Sequence, residues 1–237
     1  MKPVVIFRHL VTEGPGYFAT YLERHGVPIQ LVRIDAGDAV PRDPRAYSGI
    51  GFMGGPMSVN DDLAWIRDEL ALIRNAVDAD VPVIGHCLGG QLMAKALGGV
   101  VTRNPVKEIG WAEVQVVEGD ASRRWLGNVE RTFTAFHWHG ETFSIPSGAT
   151  RVLSSAHCAN QAFALGKHFG MQCHVEMTRQ LVTDWCRDWG KEVDRLAARV
   201  PSVQTPDEMT TDLDARITAL RRIADAIYAE WIKGLKP

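Results

Sequence analysis

Between Val81 and Leu97 an apolar run, Val81-Pro82-Val83-Ile84-Gly85, passes through His86-Cys87-Leu88 into Gly89-Gly90-Gln91 and on to a helical stretch that Gly98–Gly99 stops. No polar linker separates the strand-like half from the helix-like half. A chain turns that sharply only where the flanking residues carry little side chain, since anything larger would collide with the neighbouring strand and helix. The segment predicts a strand, a strained bend with Cys87 at its apex, and a helix running back along a sheet, the G-x-nucleophile-x-G pattern of a nucleophile elbow. Cys87 would then lie at a helix N-terminus, whose partial positive charge favours a thiolate. A buried structural cysteine in a glycine-rich turn is the competing account of the same residues.

The rest of the first half has the same alternation. Pro3–Phe7, Val27–Ile34 and Gly49–Met53 read as strands, and Tyr17–His25, Leu63–Ala79 and Gly89–Leu97 as helices. This β-α-β-α order predicts an α/β fold with a mixed, largely parallel central sheet and helices on both faces, a flavodoxin-like three-layer arrangement. Sites in such sheets lie beyond the carboxyl ends of the strands. Further on, Trp111–Val117, Thr132–Trp138, Arg151–Ser155, Gln161–Leu165 and Phe169–His174 look like strands in mixed or antiparallel pairing, the last two joined by a hairpin at Gly166-Lys167-His168. Met177–Trp189 and Asp207–Lys233 read as helices. The apolar stripe of the second, from Met209 to Trp231, suits either core packing or a homodimer surface. The division expected is one domain over 1–190 and a C-terminal helical extension over 191–237.

The chain has 237 residues, 46% hydrophobic, enough for one sizeable core. Its net charge of −2, from 26 basic and 28 acidic residues, offers no basic field for nucleic acid. The N-terminal apolar run is broken by Arg8 and His9 and matches neither a signal peptide nor a membrane helix, so a cytoplasmic location without membrane partners is expected. Cys87, Cys158, Cys173 and Cys186 form no CxxC pair and predict reduced thiols. His137-x-His139 could be a metal pair, but no third ligand stands at metal spacing, so no metal and no other cofactor is expected. Trp185, Trp189 and Trp231 read as helix packing.

A nucleophile needs a base. His174 ends the apolar run Phe169-Gly170-Met171-Gln172-Cys173, and Glu176 follows two positions on. Residues i and i+2 of an extended segment point to one side. Glu176 can therefore hold one imidazole nitrogen while the other faces a thiol. Taken alone, H-x-E is more simply a solvent-facing strand end. A third element, Gly54-Gly55-Pro56, follows a strand; the N–H groups of Gly55 and Leu88 could pair as oxyanion donors. Alone, it is an ordinary turn.

Together, and in this order and spacing, Gly-Gly-Pro, G-x-C-x-G-x-Q and H-x-E over residues 3–180 resemble the class I glutamine amidotransferase domain, in its stand-alone GMP synthase-like form. The resemblance implies Cys87 as nucleophile, His174 as base, Glu176 as its orienting acid, Gly55 and Leu88 as the oxyanion hole, and Gln91 beside the glutamyl head of the substrate. Trp138-His139-Gly140-Glu141 corresponds to the family's S-H-G-D segment at the glutamine pocket. The chain departs from the family where Cys173-His174-Val175-Glu176 replaces Phe-His-Pro-Glu, where Trp138 replaces a serine, and at Gly90, where a bulkier residue is common. The implied reaction is cysteine-dependent hydrolysis of the γ-amide of glutamine or a γ-glutamyl compound through a thioester. The chain has no Walker-type loop and too few residues after 180 for a synthetase domain. Three roles follow: a γ-glutamyl hydrolase, a glutaminase subunit delivering ammonia to a separate synthetase, and an inactive binding or regulatory module.

Overall fold

The computed structural model describes residues 1–237. Its elements run β1 (Val4–Arg8), α1 (Gly16–Arg24), β2 (Ile29–Arg33), β3 (Gly49–Phe52), α2 (Ala64–Asp78), β4 (Val83–His86) and α3 (Leu88–Ala96). Then follow β5 (Val101–Val116), α4 (Asp120–Leu126), β6 (Thr132–Phe143), β7 (Thr150–Ser155), β8 (Ala162–Leu165) and β9 (His168–Met171). Three helices complete the chain: α5 (Arg179–Ala197), α6 (Pro206–Thr210) and α7 (Leu213–Ile232).

One nine-stranded sheet has the order β2-β1-β3-β4-β9-β8-β7-β5-β6. β2, β1, β3, β4 and β9 are parallel, and pairing turns antiparallel from β9 outwards to β6. β1 shows why the parallel half sits at the centre. Val4, Val5, Ile6 and Phe7 are all buried; Val4 and Ile6 join one core with α1, α5 and α7, while Val5 and Phe7 join another with α2 and α3. A strand apolar on both faces needs cover on both. The α/β fold with helices on both faces is thus the one expected.

Several elements differ from the sequence reading. β5 starts ten residues earlier than expected, because a bulge between Arg103 and Glu108 absorbs Pro105, which cannot donate to a ladder. α4 was not expected at all. The final helix is two helices: Pro206 and a capping box between Thr205 and Glu208 start α6, and Asp212, in a left-handed conformation with φ 52°, breaks the chain before α7. α5 continues through positions 190 and 191, where a C-terminal extension was expected to begin, and α5, α6 and α7 share one core with the sheet.

The stripe on α7 is spent within the chain, with Leu213, Ile217, Leu220, Ile223, Ile227 and Trp231 all buried. Of its two expected uses, core packing is the one seen. α7 also reaches the sheet beneath the bend: the Tyr228 hydroxyl and His86 Nε2, at the end of β4, are 2.9 Å apart. No helix is long and apolar enough to cross a membrane.

Candidate active site

Cys87 stands between β4 and α3 with φ 51° and ψ −106°, outside the regions a side chain prefers. Its N–H donates to the Met171 carbonyl at 2.9 Å. The glycines around it are forced by contact rather than by torsion. A Cβ on Gly85 would enter the backbone of Gly89, one on Gly89 the backbone of Phe52, and one on Gly90 the backbone of Met171. The bulkier residue that the resemblance places at position 90 has no room here.

His174 lies three residues past β9, held by its own N–H donating to the Phe136 carbonyl of β6 at 2.8 Å. Its Nδ1–H donates to Glu176 Oε1 at 2.6 Å, and both side chains are buried. Burial alone would lower the ring's pKa, but Glu176 and the adjacent Cys87 thiol raise it well above its ordinary value. Burial likewise works to raise Glu176, and the His174 ring overrides it, so the carboxyl ends below its ordinary value. His174 Nε2 has no hydrogen-bond partner. Cys87 and His174 line the same cleft.

Gly55 packs against Leu88, whose Cδ2 would stand 2.7 Å from a Cβ at position 55. The loop carrying Gly55 is pinned by His9, whose Nδ1 bonds the Gly54 carbonyl at 3.1 Å while Nε2 meets the buried Glu69 carboxyl at 3.1–3.2 Å. Gln91 donates to Gln172 Oε1 at 3.1 Å, and Gln172 donates to Cys87 Sγ at 3.5 Å. Gln91 thus reaches the thiol through Gln172, a residue the sequence reading passed over because it sits inside an apolar run. At Trp138 the backbone carbonyl, not the side chain, faces the thiol, 3.9 Å from Sγ. Replacing the family's serine leaves that contact in place.

His139 Nδ1 bonds the Glu141 carbonyl at 2.9 Å, and its Nε2 meets Glu108 Oε2 at 3.0 Å. Glu108 corrects the expectation that His137 and His139 have no third ligand beside them. The three residues, all buried, present ligand atoms within 4.8 Å of one another. Antiparallel pairing sets Glu108 opposite His139, a register that spacing along the chain does not reveal. The Gln161 amide nitrogen fills the space between them, 2.8 Å from Glu108 Oε2, 3.3 Å from His137 Nδ1 and 3.5 Å from His139 Nε2.

The cleft over Cys87 has a volume of about 430 Å³. Its far wall is α5, which supplies Trp185, Trp189 and Glu192. The tryptophans expected only to pack therefore also face the site. Glu13, from the loop after β1, enters beside His174: a Cβ on Gly54 would strike Glu13 Oε2 and meet His174 Cε1 at 3.3 Å. The available signal for Glu13 was its place, an acid before Gly14-Pro15-Gly16 at the carboxyl end of a parallel strand.

Burial pushes the Glu13 carboxyl up from 4.5 to about 7, against the opposing pull of His174 and His9. Below pH 4 the group is protonated folded or unfolded and costs nothing. Above about pH 7 it is charged in both states, and the folded protein bears the whole penalty. Glu13→Gln is therefore expected to stabilise the protein at pH 8, by about 3 kcal/mol for the shift from 4.5 to about 7. Melting curves should show a gain at pH 8 that vanishes at pH 4. An equal gain at both values would mean that the carboxyl's charge is not the cause.

The family model described as "Glutamine amidotransferase class-I" matches residues 17–184. The chain belongs to this family. It is 48% identical to the crystal structure of a glutamine amido transferase from Methylobacillus flagellatus, which superposes with a TM-score of 0.96 over 100% of this chain and 96% of that one. It is 32% identical over 180 residues to the glutamine amidotransferase-like protein YfeJ of Salmonella typhimurium, covering 73% of this chain and 75% of that protein. It is 31% identical over 174 residues to the glutamine-hydrolysing GMP synthase of Bacillus pumilus, covering 72% of this chain but 31% of the synthase. The chain thus spans under a third of that synthase's length. Class I membership is consistent with hydrolysis of the glutamine amide.

Proposed function

We propose that the chain hydrolyses the γ-amide of glutamine or of a γ-glutamyl compound through a thioester on Cys87. One observation carries this reading: a cysteine at a strained strand-to-helix bend shares a cleft with a histidine whose far nitrogen is bonded to a buried carboxylate at 2.6 Å. Cys87 Sγ attacks the γ-carbonyl carbon as its proton passes to His174 Nε2. The oxyanion is held by the Gly55 and Leu88 N–H groups. His174 returns the proton to the departing nitrogen as the C–N bond breaks. A water, deprotonated by His174, then cleaves the thioester and restores the thiol. Glu176 keeps Nδ1 protonated and stabilises the imidazolium throughout.

The test is glutamate release from glutamine and γ-glutamyl amides by the purified chain, together with intact-mass detection of a Cys87 adduct from a diazo-ketone analogue of glutamine. Neither release nor adduct would remove the proposal and favour a binding module. The likeness to part of a GMP synthase favours a second reading, in which ammonia is passed to a separate synthetase subunit. Under that reading, glutamine turnover rises only when the partner is added.

A further inference from the structure

We infer that the leaving-group side of the cleft is built for an amine bearing a second, positively charged nitrogen, so that the preferred substrate is a γ-glutamyl amide of a diamine or polyamine. This rests on the amide hydrolysis at Cys87 proposed above.

The two ends of the cleft differ in chemistry. Ser58, Lys107, His139 and Glu141 lie together at one end, with Lys107 along Gly140 and Ser58 Oγ donating to Glu141 at 3.0 Å. That end offers both a cation, Lys107, and a carboxylate, Glu141, and suits the zwitterionic head of a glutamyl group. Beyond His174 the composition changes to indoles and carboxyls. Trp185 stands edge-on to His174 with ring centres 5.1 Å apart. Trp138 meets Trp185 at 5.5 Å and Trp189 at 5.8 Å. Trp185 Nε1–H donates at 2.8 Å to the carbonyl of Thr12, the residue before Glu13, so one contact ties the aromatic wall to the buried acid. Positions 185, 189 and 192 share one face of α5, which carries the wall out to Glu192 at the rim.

Lys107, alongside Gly140, is the only lysine or arginine that lines the cleft. Indole faces attract cations through their quadrupole, most strongly where water is excluded. Burial leaves the Glu13 carboxyl raised despite the pull of His174 and His9; an arriving ammonium would add to that pull, favour the ionised form and reduce the penalty described above. Ammonia, the leaving group of glutamine, reaches neither Trp189 nor Glu192. A neutral alkyl chain would gain the indoles but add no such pull on Glu13, and an anionic chain would be repelled. The chemistry is unchanged: the Sγ–C bond forms, the C–N bond breaks, His174 protonates the departing nitrogen, and a cationic amine leaves.

The experiment compares kcat/KM at neutral pH for glutamine and for γ-glutamyl monoamides of diaminobutane, butylamine and aminobutanoic acid, which share a chain length and differ in terminal charge. The diaminobutane amide is expected to exceed the butylamine amide by roughly tenfold or more, the scale of a charge-assisted contact, with the aminobutanoate amide slowest. Glu13→Gln should bring the cationic-to-neutral ratio close to one, and Trp189→Leu, at a half-buried position, should lower it as well. A wild-type ratio at or below one, with the neutral amide still hydrolysed, would overturn the inference and leave amide hydrolysis standing. No turnover of any of the four and no labelling of Cys87 would instead remove the reading beneath it. The wild-type comparison decides the matter even if Glu13→Gln fails to fold.

Discussion

Cys87→Ala is expected to lower γ-amide hydrolysis by roughly 10⁴-fold or more while the protein remains folded. The loss is large because no second thiol lines the cleft: Cys173 is fully buried, and burial drives its pKa far above the ordinary thiol range. The fold should survive, since alanine meets the same backbone strain at φ 51° and ψ −106° that cysteine does. Cys87→Gly should be equally inactive and more stable than Cys87→Ala, by about 1 kcal/mol, because glycine adopts a positive φ without penalty. Glutamate release and thermal melts on both variants check the pair. Full turnover by Cys87→Ala would transfer the nucleophile's role elsewhere, and equal melting temperatures for the two would mean that the bend is not strained.

The second large effect is on the bend itself. Gly90→Ala should destabilise the protein by about 3 kcal/mol, because the new methyl meets the backbone carbonyl of Met171, which is itself held by the Cys87 N–H. Neither β9 nor the bend can retreat without disturbing the strand that leads to His174. The melting temperature should fall by roughly 6–12 °C, and activity should fall with it. Gly14→Ala, chemically the same change at a position with nothing within 4 Å, should stay within about 1 kcal/mol of the parent. Similar melting for both variants would show that the close approach of α3 to β9 carries no weight.

The elbow, the H-x-E pair and the parallel half of the sheet were legible in the sequence because each is written in adjacent residues. Val83–Gly85 runs into Cys87 and Gly89 without interruption, and His174 and Glu176 are two apart. What was not legible depends on register or on distant partners. Glu108 meets His139 only because β5 and β6 pair across a bulge. His9 finds Glu69 sixty positions away. Gln172 looked like a polar residue stranded in a core strand until Gln91 and Cys87 closed on it from α3. Trp185 and Trp189 gave the same periodic signal that any packed helix gives, and periodicity does not say whether a buried face meets a core or a cleft. Glu13 lay in a short glycine-rich connection, where pattern carries least information and location within the sheet carries most.

α5 has a consequence for how proteins of this kind diversify. The groups proposed to break the bond come from strand ends and the bend, whereas much of the far wall belongs to this one helix of 19 residues, starting three positions after Glu176. On the proposed reading, exchanging that segment between relatives, with Trp185 kept against His174, would retarget the chain toward a different departing group, so new specificities can arise by drift along the rest of this one helix.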